Sequence, residues 1–332
     1  MAAPFSLEQL AASPLCSLSF AERLKYRQAS DSHSPIAYLE FETTSSAETG
    51  LPPLYLAGSS TSSLDVARVL GLSGMLPVWG SVLVLEQSTG RGQLGRTWTS
   101  PAGNIYAALR LPFIPPFSGT AAAPATGALL AEALTELGCP VGMKWPNDLV
   151  RGPKESCANW NKVGGILLEE RPLPHTDEES QEGALLVAGI GLNVISSPPM
   201  NQMREGHVMP AGCLPPTCEG ENEPLSLVEF WTRVVRHTVF CYGREIRSKL
   251  PQSWRLLGER HLAFLGQPVQ LVDGFEDTEC HEGILEGLDA SGALRLRGPH
   301  GSESFLSGTL RLPSHPAAVH PVSGSGMDSC GT

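Results

Sequence analysis

Glu86-Gln87-Ser88-Thr89-Gly90-Arg91-Gly92-Gln93-Leu94-Gly95-Arg96-Thr97-Trp98 is the stretch whose reading decides the fold. The apolar run Val82-Leu83-Val84-Leu85 enters it, and the strand-like run from Asn104 to Leu111 leaves it. The pattern predicts a hairpin whose connecting loop is glycine-rich, cationic and mobile. Glycine lets a backbone approach a ligand closely, and guanidinium groups suit phosphate and carboxylate oxygens. No Asp or Glu occurs between Gln87 and Glu132, in a chain of formal net charge -11. An anionic ligand needs such a local positive field.

Gly90-x-Gly92-x-x-Gly95 has the spacing of a dinucleotide-binding fingerprint, but not its context. That motif opens a helix and is followed roughly 20 residues later by an acid for the ribose. Here Trp98, Pro101 and Gly103 follow, then a strand pattern with no acid at that distance. No Gly-Lys-Ser/Thr ends the run, so it is not a phosphate-binding P-loop. A plain hairpin with turn glycines remains the alternative on pattern alone.

The chain has 332 residues, 41% hydrophobic and 17% charged, a globular composition long enough for two domains. Its acidity argues against nucleic-acid binding. No apolar run reaches membrane-spanning length, and no secretory signal is evident. The eight cysteines form no C-x-x-C pair, which fits reduced thiols and predicts a cytoplasmic protein without a zinc site.

In chain order, Ser19 to Gln28 has helical spacing and Ile36 to Phe41 alternates as a strand. Residues 45–53 read as a linker, and Leu54 to Leu56 as a strand. The hydroxyl cluster Ser59 to Ser63 precedes an amphipathic helix that Gly71 can end. Those hydroxyls suit either an N-cap or a small polar ligand. Ala121 to Leu137 is a helix stopped by Gly138. Val141 to Val150 reads strand, polar turn, strand, with Lys144, Trp145, Asn147 and Asp148 packed around the turn. Lys162 to Glu170 and Ala184 to Val194 are strands, separated by an acidic loop. Lys154 to Asn161 and Ser196 to Pro224 look like surface insertions, and Ser226 to Leu250 contains a helix. Short strands and turn signals from Pro268 to Leu306 outline a small β-barrel, followed by a disordered tail from His315. The expected divisions are an N-terminal extension (1–53) without a helix-turn-helix, a catalytic part (54–258), a small barrel (259–313) and the tail (314–332).

Four motifs in order, followed by a small terminal barrel, resemble the biotin protein ligases. They are Gly90-Arg91-Gly92-x-x-Gly95-Arg96-x-Trp98, Lys144-Trp145-Pro146-Asn147-Asp148, Lys162-Val163-Gly164-Gly165-Ile166-Leu167 and Gly189-x-Gly191-Leu192-Asn193-Val194. The resemblance implies an α/β (α+β) fold: a mixed β-sheet catalytic domain flanked by helices, then an SH3-like domain. It implies activation of biotin by MgATP to biotinyl-5′-AMP, and transfer to a lysine of a biotin carboxyl carrier domain. No DNA, membrane or tightly bound metal is implied, and a homodimer is left open.

By the same resemblance, Lys162 reaches the biotin carboxylate and α-phosphate, and Arg91 lies near the acyl-phosphate and pyrophosphate. Asp148 is the acidic partner, for Mg²⁺ or for orienting Lys162. Lys144, Asn147 and Arg96 support phosphates, while Asn193 and Trp98 contact or cover the adenine. Ser62, Ser63 and Gln87 hydrogen-bond biotin, and Gly90, Gly92, Gly164, Gly165 and Gly191 let the backbone pack against ligand. Joining two anions requires cations and alignment more than a protein nucleophile. This chain departs from the family in three ways. Gln93 stands where a second loop arginine is frequent, the loop between Asp148 and Lys162 is longer than usual, and no DNA-binding module is recognisable. A lipoate–protein ligase is the nearest alternative, and a biotin-responsive repressor a more distant one.

Overall fold

The computed structural model describes residues 24–28, 36–41, 52–152, 160–173, 183–199, 209–215, 226–247, 253–273 and 279–313. The main sheet contains β1 (Leu24–Gln28), β2 (Ile36–Phe41), β3 (Leu54–Ser60), β4 (Ser81–Gln87), β5 (Ile105–Leu111), β6 (Gly142–Lys144), β7 (Asp148–Arg151), β8 (Asn161–Pro172) and β9 (Ala184–Leu192). Its order is β1-β2-β3-β4-β5-β9-β8-β7-β6. Only β3 and β4 run parallel, joined through helix α1 (Ser63–Leu72) as a parallel pair requires a crossover. The expected hairpin is present, with β4 and β5 antiparallel from Ser81↔Leu109 to Val84↔Tyr106.

Alternation along the strands sorts apolar residues onto two faces. Leu83, Ile105, Ala107, Leu109, Ala188, Ile190 and Leu192 share one core with helices α2 (Ala122–Glu136), α3 (Leu227–Cys241) and α4 (Ser253–His261). Tyr55, Val82, Val84, Tyr106, Ala108, Leu185 and Val187 form a second core under Leu64, Ala67 and Leu70 of α1. Ser62 caps α1 by accepting the Asp65 amide on its hydroxyl at 3.2 Å. Helix α2 ends as expected, with Gly138 at φ 77.

Several expectations change. Leu24–Gln28 is not helical but pairs as β1 with β2, from Leu24↔Phe41 to Gln28↔Ala37. The open edge of β2 supplies backbone partners that outweigh a weak helical spacing. Helix α1 continues through Gly71. A Cβ there would lie 2.5 Å from Leu185, so this glycine serves packing against β9 rather than helix termination. Helix α4 and the final strand were not foreseen. The segments 45–51, 154–159, 174–182 and 314–332 lie outside the described residues.

The terminal part is a five-stranded antiparallel sheet among the described residues, β13-β12-β11-β10-β14. Its strands are β10 (Pro268–Asp273), β11 (Glu279–Leu288), β12 (Leu294–Gly298), β13 (Gly301–Phe305) and β14 (Thr309–Arg311). The expected division at 258 falls inside α4, whose Gly258 abuts Leu288 of β11. The turn between β11 and β12 inserts into the main body. Asp289 Oδ1 accepts the Ser291 and Ala293 amides at 2.8 and 3.1 Å. Ser291 O accepts from the Thr120 hydroxyl at 2.6 Å, and Gly292 O accepts from the Trp145 indole at 2.9 Å. Gly292 has φ 84, and a Cβ there would lie 2.6 Å from Ala121 Cα. Gly292→Ala therefore meets both a left-handed backbone and a fixed main chain. It should lower stability in chemical denaturation by about 1–3 kcal/mol.

Candidate functional site

The α1 face of the sheet is filled by side chains until β9 reaches Gly189 and Gly191. Gly191 lies opposite Gly165 of β8, and Gly189 opposite Leu167. These glycines leave a bare floor on one face. Above it lies a cleft of about 190 Å³ lined by Ser63, Gln87, Arg96, Trp98, Lys144, Asn147, Asp148, Lys162, Gly165 and Gly191, among others. Gly308 and Thr309, before and at the start of β14, also line it, which the motifs did not suggest.

The loop expected to be mobile folds as a short ribbon over the cleft. Trp98 N donates to Gly90 O at 2.8 Å, Gly92 N to Arg96 O at 2.7 Å, and Arg91 bridges Thr97. Gln93–Gly95 turns the tip, with Leu94 and Gly95 at φ 57 and 70. Any side chain at Gly90 would run into the Trp98 carbonyl. Gln87 ties the ribbon's root to α1: its Oε1 accepts from Ser63 N at 2.9 Å, and its Nε2 donates to Ser100 Oγ at 3.0 Å.

Trp98 lies across the glycine floor. A Cβ on Gly191 would stand 2.6 Å from its ring, and one on Gly165 3.1 Å. The buried indole N–H has no hydrogen-bond partner among the described residues, an arrangement that costs about 1–3 kcal/mol. Lys162 Nζ sits 5.4 Å from the ring centroid, within cation–π range.

Lys162 reaches this face through a register shift. Asp148 pairs with Gly165, Leu149 with Gly164, then Val150 with Lys162, leaving Val163 as the extra residue of a bulge. Without it, alternation would turn Lys162 to the face of Gly164. With it, Lys162 Nζ meets Asp148 Oδ1 at 2.6 Å while Lys144 Nζ lies 3.4 Å from Oδ2. Burial works against the Asp148 carboxylate, yet the two ammonium groups beside it hold it below the usual range. Burial pushes Lys144 below the ordinary lysine value, opposed by Asp148. Each Asp148 oxygen already faces an ammonium group, so a resident Mg²⁺ there would crowd a third cation onto one carboxylate, an arrangement the cluster's charge disfavours. Of its two expected roles, the geometry supports orientation of Lys162.

Other expected residues divide. Ser63, Gln87, Gly92, Arg96, Trp98, Lys144, Asn147, Gly165 and Gly191 line the cleft with Lys162 and Asp148. Arg96 forms no ion pair among the described residues. Asn147 donates to Ile166 O at 2.7 Å, so its amide also holds β8. Arg91 lines the cleft, but its guanidinium is paired with Asp65 and Glu169, both at 3.0 Å. Ser62 is buried in its capping role. Gly164 packs into the core, where a Cβ would meet Leu192 at 2.7 Å.

Asn193 is buried and donates to Gly212 O at 3.1 Å. It anchors a segment expected on the surface. Lys162 N donates to Pro210 O at 2.7 Å, Gly212 N to Lys162 O at 2.9 Å, and Leu214 is buried. Asp65 and Glu169 were missed. Strand alternation could have found Glu169, which shares its face with Gly165 and Leu167; no motif carries it.

Asp148→Asn leaves two crowded ammonium groups without a counter-charge and should lower stability by about 3 kcal/mol at neutral pH. The folded carboxyl value is depressed from 3.8. Its stabilising contribution is therefore fully present above 3.8 and is lost as pH falls through the lower folded value. Unfolding titrations should show an acid-side decline that is smaller in Asp148→Asn than in the wild type, the remainder coming from Asp65, Glu136 and Asp289, which are also held below their ordinary values.

The comparisons agree with this architecture. Residues 73–189 match the Biotin/lipoate A/B protein ligase family, and residues 264–310 match the Biotin protein ligase C terminal domain. A biotin--[acetyl-CoA-carboxylase] ligase of Paracoccus denitrificans is 33% identical over 74% of this chain and 93% of its own length. The biotin protein ligase of Aquifex aeolicus in complex with biotin and ATP has the same fold, at TM-score 0.55 and 23% identity. That match covers 77% of this chain and 97% of that one. Its apo structure gives 0.53 and 19%, covering 77% and 98%. On the family match and the Paracoccus relative, this chain belongs to the biotin protein ligase family.

Proposed function

We propose that the chain activates biotin with MgATP to biotinyl-5′-AMP and transfers the biotinyl group to a lysine of a carboxylase's biotin carboxyl carrier domain in the cytoplasm. The observation that carries this reading is the Lys144–Asp148–Lys162 cluster at the edge of a glycine-floored cleft, beneath a cationic ribbon. In the first step a biotin carboxylate oxygen attacks the α-phosphorus and pyrophosphate leaves. In the second, the carrier amine attacks the acyl carbonyl and AMP leaves. Both steps need anionic charge neutralised in place, which preorganised cations do without reorganising.

Lys162 meets the carboxylate and α-phosphate, with Asp148 aiming it. Lys144 adds positive charge from below, and Arg96 on the ribbon faces the leaving pyrophosphate. Mg²⁺ arrives with the nucleotide as part of the substrate. Ser63 and Gln87 stand at the other end, where the ureido ring of biotin is read. Gly165 and Gly191 give the ligand a flat backbone floor once Trp98 moves from it to cover the adenine. The catalytic part runs from about 54 to the end of α4 at His261, and the terminal sheet from Pro268 to Arg311.

Biotin-dependent exchange of pyrophosphate into ATP tests the reading. It should be robust with biotin; exchange with lipoate alone would assign the chain to the lipoate branch. Lys162→Ala should lower exchange about 10²- to 10³-fold with its circular dichroism unchanged. Gln93→Arg adds a cation to the ribbon tip and should slow release of the adenylate in a filter-retention assay.

A further inference from the structure

We propose that Asp65 and Glu169 are positioning residues which, through Arg91, fasten the ribbon across the biotin end of the cleft. The inference rests on the function proposed above. Arg91 Nη1 binds Asp65 Oδ1 and Nη2 binds Glu169 Oε1, both at 3.0 Å. One guanidinium thus joins the ribbon, the first turn of α1 and β8. Glu169 faces this side because Gly165, Leu167 and Glu169 alternate onto it. Asp65 is itself set by the Thr61 hydroxyl at 2.6 Å, with Arg68 at 3.5 Å.

The charge count separates Arg91 from the reacting oxygens. With Arg68 beside Asp65, two guanidiniums face two carboxylates, so the charge of Arg91 is already compensated and it receives a phosphate less readily than an unpaired cation. Arg96 has no such partners among the described residues and lines the same cleft. The fastening is also weak enough to open. Arg91 is 37% exposed and both carboxylates 20%; pairs this accessible are each worth at most a few-fold in an equilibrium. A ribbon that must admit biotin and release an acyl-adenylate needs a fastener of that strength.

The test uses the full chain with Asp65→Asn, Glu169→Gln and Arg91→Met, singly and paired. Amide hydrogen exchange at residues 90–98 reads the ribbon without requiring turnover. The Asp65 and Glu169 variants should each speed that exchange and raise KM for biotin about two- to fivefold, with kcat within twofold. Neither should add anything in the Arg91→Met background, because both act through that side chain. A general structural defect would instead speed exchange across α1 and β8. Effects that add to Arg91→Met, unchanged ribbon exchange, or a higher kcat on neutralising the carboxylates would each overturn the proposal. Absence of biotin-dependent exchange in the wild type would instead refute the proposed function, leaving the ribbon measurement interpretable.

Discussion

The site depends on an absence of side chains at one place on one sheet face. Gly165 and Gly191 sit opposite each other on β8 and β9, with Gly189 next along the same face. A methyl at Gly191 would strike the Trp98 ring, and one at Gly189 would stand 2.7 Å from Leu64. The opposite face carries Ile166, Ile190 and Leu192 into the larger core, so the strands remain anchored where they cannot pack on the cleft side. Helix α1 covers the face only as far as Leu64, and the ribbon covers the rest.

Electrostatics divides the cleft into ends with different strengths. At the Lys162 end, two ammonium groups crowd one carboxylate and Lys144 is largely buried, so these charges interact more strongly than a surface pair. At the Arg91 end, the ion pairs are wet and exchangeable. A chemical step benefits from rigid charge, and a binding step from a closure that can be undone. The protein keeps both within one cleft by placing rigid charge on a bulged strand and exchangeable charge on a ribbon.

Much of this was legible in the residues. The apolar runs Val82–Leu85, Ile105–Leu111 and Ala184–Leu192 marked the strands, while their two faces emerged only from the pairing, because a run apolar at nearly every position carries no period of two. The lysine motifs gave Lys162, Asp148 and Lys144 as a group. The illegible parts share a cause: each depends on a distant partner. Leu24–Gln28 becomes a strand only because β2 offers an edge. The bulge at Val163 has no local mark, yet it decides which way Lys162 points. Asn193, which the resemblance sets at the adenine, also donates to Gly212 O, beyond a long irregular stretch that no local pattern connects to it. Arg91, which the resemblance sets near the acyl-phosphate, has Asp65 and Glu169 as partners that only the tertiary packing brings to it.

The turn from Asp289 to Gly292 bears on how such proteins can be recombined. Its carbonyl holds the Trp145 indole, one residue from Lys144, and β14 sends Thr309 into the cleft. The terminal sheet is therefore not an interchangeable module. A chimaera that borrows this sheet from a relative inherits a working cleft only if the donor keeps a left-handed glycine at the turn and a carbonyl at the same depth. Inheritance of the two parts is thereby linked: drift in a remote hairpin is checked by the geometry of a lysine it never touches.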